Sequence, residues 1–282
     1  MAAVREISPY ALEALSGHVT GTVHSVFASS FNVELAGRLV HVGAVPALLA
    51  CTGLSVAASA LVDALSCVRV GDLAVARKGT LRLYGRAGVA ELDSRKAPTA
   101  ACCVPVLAGG SWARWAHDRL RSWGLPSGVG LPFDERSASC LDALSAACVS
   151  DRELNAAVHH LVGRGSGLTP SGDDVLLGYG TALQMAGERT EALARALKAR
   201  ANATTAVSAS YFDAFAHGYV NPIYVELARA LDSRNVLSFE RAVLQIRGIG
   251  HTSGNDALMG LMAGFSRVAA ATRAQDSQAR CA

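Results

Sequence analysis

RGSGLTPSGDDVLLG, residues 164–178, and RGIGHTSGNDALMG, residues 247–260, are one pattern written twice. Dropping Pro170 from the first copy aligns them. Nine positions then match: Arg164 with Arg247, Gly165 with Gly248, Gly167 with Gly250, Thr169 with Thr252, Ser171 with Ser253, Gly172 with Gly254, Asp174 with Asp256, Leu176 with Leu258, and Gly178 with Gly260. Asp173 aligns with Asn255. Such a match suggests an internal duplication or two elements converging on one task. Ser171-x-x-Asp174 and Ser253-x-x-Asp256 each read as a capping box, a hydroxyl at the cap and a carboxylate three residues on. Both copies are therefore expected to start helices, over Asp173–Met185 and Asn255–Ala271.

Working outward, the chain from Ser139 reads as helices with short breaks. The expected spans are Cys140–Cys148, Asp151–Val162, Thr190–Ala203, Ser208–His217, Pro222–Leu231 and Phe239–Gln245, with Ser150 or Asp151 capping one and Ser238 another. Trp112–Trp123 has apolar residues at helical spacing, and Gly124, Pro126, Gly128, Gly130 and Pro132 mark a loop. The three tryptophans there read as packing or inter-subunit residues. The first third is different. Thr20–Ala28, Phe31–Leu35, Arg38–Val42, Val68–Ala76, Gly79–Tyr84 and Gly88–Leu92 are short, β-branched runs with glycine at the turns. One helix is expected near Val56–Leu65. The fold class is α+β: an N-terminal β-rich sheet or small barrel, then a mostly α-helical domain. The expected division is 1–108 and 109–282, the second part carrying the duplicated Gly-rich motif.

Composition limits the functions. Apolar residues make up 51% and charged residues 17%, a globular balance, and the net charge is only +3. That is no general field for nucleic acid or an anionic membrane, so neither partner is expected. The start MAAVREISPYALEAL carries charges and a proline and does not resemble a secretory signal. Val45–Leu65 is apolar but dominated by small residues, which fits a buried strand and helix better than a span. The seven cysteines form no C-x-x-C pair and read as reduced, mostly buried thiols of a cytoplasmic protein. No Ser–His–Asp signature, zinc spacing or dinucleotide fingerprint is present.

Any anion binding must come from a local arrangement, and the motif suits one. A glycine-rich turn running into a helix start presents free backbone N–H groups and the positive end of the helix dipole. Thr169, Thr252, Ser171 and Ser253 add hydroxyls, and Arg164 and Arg247 add guanidinium forks. The expected substrate-binding set is Arg164, Gly165, Gly167, Thr169, Ser171, Gly172, Asp173, Arg247, Gly250, Thr252, Ser253, Gly254 and Asn255. The candidate catalytic groups are Asp174, Asp256 and His251, the last because its ordinary pKa suits proton transfer. The acids would repel an anion. Either Asp173 and Asp174 hold Mg²⁺ that bridges to phosphate, or they accept hydrogen bonds from a substrate –NH₂, or they cap the helix; the sequence leaves all three open. His159 and His160 precede the first copy on a helix and point to different faces. His24 and His41 lie in expected strands and read as structural.

GLTPSGDDVLLG at 167–178, Ser210-Tyr211-Phe212 with Ala216–Gly218, and GHTSGNDALMG at 250–260 resemble the oxamate carbamoyltransferase subunit AllH family. The resemblance is strongest from about Arg164 to Gly264; the β-rich start fits more loosely. It implies a transferase subunit of a cytoplasmic multi-subunit complex, a carbamoyltransferase interconverting oxalurate plus phosphate with oxamate plus carbamoyl phosphate. That reaction closes anaerobic allantoin degradation in purine catabolism. The implied companions are an FdrA-like subunit and an AllG-type subunit, and the implied ligand is a small anion: phosphate, carbamoyl phosphate or oxamate. A different class stays open beside it: a non-catalytic scaffold or metabolite-sensing subunit whose duplicated motif binds a metabolite or a partner chain.

Overall fold

The computed structural model describes residues 1–281 and divides into two compact units, Met1–Cys103 with Tyr219–Pro222, and Val104–Gly218 with Ile223–Ala282.

The first unit is a closed barrel. Its strands, in chain order, are β1 (Ala2–Ile7), β2 (His18–Val26), β3 (Phe31–Leu35), β4 (Arg38–Ala44), β5 (Gly53–Val56), β6 (Leu73–Arg77), β7 (Thr80–Gly85) and β8 (Gly88–Asp93). Around the barrel the order is β1-β5-β4-β3-β2-β6-β7-β8, closed by a parallel pairing of β1 with β8. Closure removes the unpaired edges that an open sheet would expose. The sequence places six of these strands. It gives β1 no strand, and β5 only as the buried strand expected within Val45–Leu65, without bounds. Helix α1 (Pro9–Ser16) follows β1, capped by Ser8, and α2 (Ala58–Cys67) follows β5.

Alternation along each strand fills the interior. Phe31, Val33 and Leu35 of β3, Val40 and Val42 of β4, and Leu81 and Leu83 of β7 are fully buried. Ala74 faces Leu83 and Ala76 faces Leu81, so small residues on β6 make room for large ones on β7. Ala36 and Gly37, both with positive φ, turn β3 into β4. This two-residue turn is the kind whose twist matches the paired strands. His41 sits in β4 with its ring 2.9 Å from Asn32 Oδ1, and burial lowers its pKa. Tyr219–Pro222 joins this unit through Val220 N–H to Cys102 O, 2.7 Å, and Cys51 N–H to Asn221 Oδ1, 2.7 Å.

The second unit is helical: α3 (Ser111–Arg121), α4 (Glu135–Ser145), α5 (Asp151–Leu161), α6 (Ser171–Met185), α7 (Glu191–Ala199), α8 (Ala206–Ala216), α9 (Pro222–Asp232), α10 (Val236–Arg247) and α11 (Ser253–Cys281). Ser150 caps α5 in a complete capping box with Glu153. The cap of α10 is Asn235 and not Ser238: its side chain accepts from the Ser238 N–H. Helix α11 continues to Cys281.

Helices α6 and α11, one from each motif copy, make the most extensive helix contact of the unit. The contact is reciprocal. A Cβ on Gly178 would lie 2.1 Å from the Ala257 carbonyl oxygen, and one on Gly260 would lie 1.9 Å from that of Val175. Gly178 and Gly260 are aligned positions, and so are Val175 and Ala257. The two copies therefore pack on each other as a pseudo-symmetric pair, and glycine is what lets the backbones approach. Trp112 packs edge-on to Phe265 and Trp115 edge-on to Phe239. Of the cysteines, Cys51 and Cys102 are buried, Cys67 and Cys140 half-buried, and Cys103 and Cys148 exposed, so the expectation of mostly buried thiols is not met; the side chain of Cys281 lies outside the described residues.

Candidate functional site at the junction of the two motif copies

Both copies start helices, but their serines are not the caps. In α6 the cap position is Pro170, with no side-chain cap bond, and Ser171 is the first helical residue. Proline holds its own φ near the helical value and donates no N–H, so the helix begins directly after it. Its carbonyl accepts from Asp173 N–H at 2.9 Å and Asp174 N–H at 3.3 Å. In α11 the Thr252 carbonyl accepts from Asp256 N–H at 2.9 Å, which puts Ser253 in the same first position. The serine hydroxyls are thereby released from capping.

The Ser253 hydroxyl joins the copies. Thr169 Oγ1 lies 2.8 Å from Ser253 Oγ, a hydrogen bond between the first copy and the second. A loop missed as functional at the sequence level closes over the junction. A Cβ on Gly130 would come within 2.5 Å of Thr252 Oγ1 and 2.6 Å of Ser171 Oγ. A bare Cα at this position therefore sits over hydroxyls from both helix starts. Gly130 N–H and Leu131 N–H donate to Asp256 Oδ1 at 3.0 and 3.2 Å. The sequence marked this stretch only as a loop, through Gly124, Pro126, Gly128, Gly130 and Pro132.

The arginines do not stand free. Arg164 Nη2 donates to Asp134 Oδ2 in an ion pair, while Asp134 caps α4 by accepting from Ser137 N–H at 2.7 Å. Arg247 Nε donates to Asn255 Oδ1 at 3.2 Å, and its guanidinium lies 5.7 Å from the Trp123 ring centre. Asn255 Nδ2 donates in turn to Gly128 O, 3.1 Å. The aligned arginines thus occupy different settings. Arg247 is the last residue of α10, whereas Arg164 follows the end of α5 by three residues. His160 points inward, its Nε2 3.1 Å from Ser137 Oγ, with a pKa lowered by burial and then by Arg164; His159 is exposed.

The backbone donors of the first copy are also largely spoken for. Gly172 N–H donates to Arg164 O at 2.8 Å, beside the Asp173 and Asp174 bonds above. Gly254 N–H donates to Ile249 O at 3.1 Å in the second. Gly165 has a φ of +110°, and a Cβ there would lie 2.8 Å from Ser171 N, so only glycine fits the turn. Gly167 and Gly250 also have positive φ, and His251 is exposed in the turn before α11.

The three acids differ. Asp173 is fully buried; Oδ1 accepts from Gly163 N–H at 2.8 Å and Oδ2 from the Thr204 hydroxyl, so it ties the motif to the start of the α8 region. Burial raises its pKa. Asp174 is engaged by the Ser253 and Thr169 hydroxyls, yet its Oδ2 is buried with no hydrogen-bond partner. Burial holds its pKa well above the usual carboxylate range; the two hydroxyls pull it down, and the Asp256 and Asp173 charges push it up further. Asp256 is fully buried, and its Oδ2 also lacks a partner. The junction therefore presents two unpartnered carboxyl oxygens, one from each copy. Asp173, one of the two expected Mg²⁺ ligands, has both oxygens engaged. Among the described residues no group of three or more His, Cys, Asp or Glu side chains is placed to share a metal ion.

The chain is thus an α+β protein whose helical unit is organised by a duplicated helix start. Residues 161–265 match the family model described as oxamate carbamoyltransferase subunit AllH, a segment that contains both copies and every helix between them. The match bears out the resemblance that the motifs carry, to a family described as a subunit of a carbamoyltransferase. Neither the curated proteins nor the solved structures contain a match to the chain. No helix among the described residues is long and apolar enough to cross a membrane.

Proposed function

We propose that this chain is a cytoplasmic subunit of a carbamoyltransferase complex that interconverts oxalurate plus phosphate with oxamate plus carbamoyl phosphate, and that its small anionic substrate binds at the junction of the two motif copies. The observation that carries the reading is the convergence of both helix starts within the segment that matches the family. Ser171, Thr252, Thr169 and Ser253 bring four hydroxyls to one place, and Arg247 lies at its edge. Hydroxyl and guanidinium donors suit a carboxylate or phosphate, and donors held in place at a developing oxyanion are an effective way to stabilise carbamoyl transfer. The partners of the complex would be an FdrA-like and an AllG-type subunit, and the pathway the terminal steps of allantoin breakdown.

The test is phosphorolysis of oxalurate by the purified chain, first alone and then combined with those two partners. Wild-type activity in the combination, lost on Arg247→Ala or Ser171→Ala with the complex still assembled, is the expected result. Unchanged substrate affinity and turnover in both variants would remove the junction from the reaction.

A scaffold or metabolite-sensing role is the second reading. It is favoured by one observation: Arg164 is paired with Asp134, and the first-turn N–H groups of α6 are bonded within the chain. Such a site holds fewer free donors than a phosphate-transfer centre needs.

A further inference from the structure

The barrel has a cavity of its own, outside the segment that holds the two motif copies. Its outer face on β2, β6 and β7 is hollowed to a volume of about 600 Å³, inside the usual size range of small-molecule sites. The strand register sets what lines it. His18 of β2, Arg77 of β6 and Thr80 of β7 are direct neighbours in one row across the sheet, and all three line the cavity. Lys78 joins them from the two-residue turn between β6 and β7, which it makes with Gly79 at φ of +48° and +79°. Such a turn favours asparagine, aspartate or glycine, so the turn itself gives no reason for a lysine. Two further cations of the cavity are already neutralised: Arg82 pairs with Glu91 at 3.0 Å and Arg95 with Asp93 at 2.7 Å. Among the described residues no carboxylate pairs with Arg77 or Lys78. Positive charge is thus left over at this end of the cavity, in a chain whose net charge is only +3.

The other end is apolar. Tyr84 lines it, with Leu73 opposite on β6 and Val89 opposite on β8, and all three side chains are exposed. Arg82 lies between the two ends and engages the Tyr84 hydroxyl, which holds the ring in place. Tyr84 stands four positions along β7 from Thr80, about 13 Å at the usual strand rise. A pair of cations and an aromatic ring at that separation match the two ends of a nucleoside diphosphate. We propose that this cavity binds a nucleoside diphosphate, its phosphates on Arg77, Lys78 and His18 and its base on Tyr84. Guanidinium and ammonium donors suit phosphate oxygens, and any base presents a flat face that stacks on an aromatic ring. Single-stranded nucleic acid needs successive rings along a track, and the lining holds one tyrosine and no tryptophan or phenylalanine. A protein partner needs a face of about 800 Å² on this chain, far more than the few residues that line the cavity. The site is independent of the reading of the helical unit, and neither stands or falls with the other.

The experiment is calorimetric titration of the full chain with ADP, GDP, CDP and UDP, and with adenosine, pyrophosphate and orthophosphate beside them. At least one of the four nucleotides is expected to bind about tenfold or more tighter than adenosine or either inorganic anion, and less tightly as salt is added. Lys78→Asn puts a favoured residue into the turn, so the charge is lost while the fold is kept. It and Arg77→Gln should each weaken nucleotide binding by about tenfold or more, the scale of one lost charge-assisted hydrogen bond. The thermal unfolding midpoint of Lys78→Asn should be no lower than that of the wild type. Tyr84→Ala should weaken nucleotide binding and leave pyrophosphate binding unchanged, a selectivity that general loosening of the barrel would not produce. Binding of none of the four nucleotides, with or without capture of a single-stranded oligonucleotide, would overturn the proposal. So would equal affinity for nucleotide and pyrophosphate, or unaltered nucleotide affinity in both Lys78→Asn and Arg77→Gln.

Discussion

Thr169 Oγ1 and Ser253 Oγ, 2.8 Å apart, are residues 84 positions distant in sequence and belong to different copies of one motif. Their bond makes the duplication a single structural object. It also positions the Asp174 carboxyl, which both hydroxyls engage.

Gly178→Ala and Gly260→Ala should each destabilise the chain by about 1–3 kcal/mol, the usual range for overpacking. Each added Cβ meets a backbone carbonyl at 2.1 or 1.9 Å, and backbone in two packed helices has little room to yield. Gly248→Ala is the control. Its φ is −75° and the nearest atom to an added Cβ is 3.4 Å away. Chemical denaturation should rank Gly248→Ala close to wild type and both helix-crossing variants well below it.

Asp174→Asn should raise stability at neutral pH, by about 1–3 kcal/mol for relief of a buried unsatisfied carboxyl. The sign follows from a folded pKa that is raised. Below the unfolded value of about 3.9 the group is protonated in both states. As pH rises from there through the folded value, the folded state is penalised relative to the unfolded one. The advantage of Asn should therefore be largest at pH 8 and vanish toward pH 4. Thermal melts of both proteins across that range measure it, and a constant difference would contradict the assigned shift.

Arg164→Ala should raise the pKa of His160. The guanidinium is, after burial, the largest influence holding that pKa down, and its removal leaves Arg136 to oppose the Asp134 charge 3.7 Å from the ring. An NMR titration of the His160 imidazole reads the shift. The Arg164–Asp134 pair itself is partly exposed, so a double-mutant cycle with Asp134→Asn should give only about 0.2–1 kcal/mol, falling with added salt.

Ser150→Ala should cost about 1 kcal/mol, the typical value for losing an N-cap. Both halves of the capping box are present: Glu153 N–H donates to Ser150 Oγ at 3.2 Å and Ser150 N–H donates to Glu153 Oε2 at 2.9 Å. Because α5 leads directly into the first motif copy, the unfolding midpoint and the protection of amides in residues 151–161 should fall together.

Much of the helical unit was legible because its signals are local. Asp151–Val162 was expected and Asp151–Leu161 is found; Pro222–Leu231 was expected and Pro222–Asp232 is found. Apolar spacing and a serine before an acidic turn act within a few residues, and no distant partner is needed. The capping assignment at Ser171 failed for a reason equally local. Pro170 takes the cap position, and the hydroxyl moves to the first turn, where it faces another segment. Strand β1 was missed because its residues do not alternate cleanly, and β5 was expected only as a buried strand somewhere in Val45–Leu65: it is buried at all four residues, a pattern whose bounds periodicity cannot set.

By itself the sequence determined the duplication, the two helix starts, the α+β division of element types and the family resemblance, all of which depend on residues near one another in the chain. Tertiary structure alone decided who meets whom. It gave Arg164 to Asp134 instead of to a ligand, laid Gly130 over hydroxyls from both copies, and closed the strands into a barrel by pairing β1 with β8. It also left Asp174 Oδ2 and Asp256 Oδ2 buried and unpartnered. A side chain carries its donors and acceptors in its own chemistry. Which of them is satisfied depends on groups brought within 3 Å by the fold, from places the local sequence does not specify.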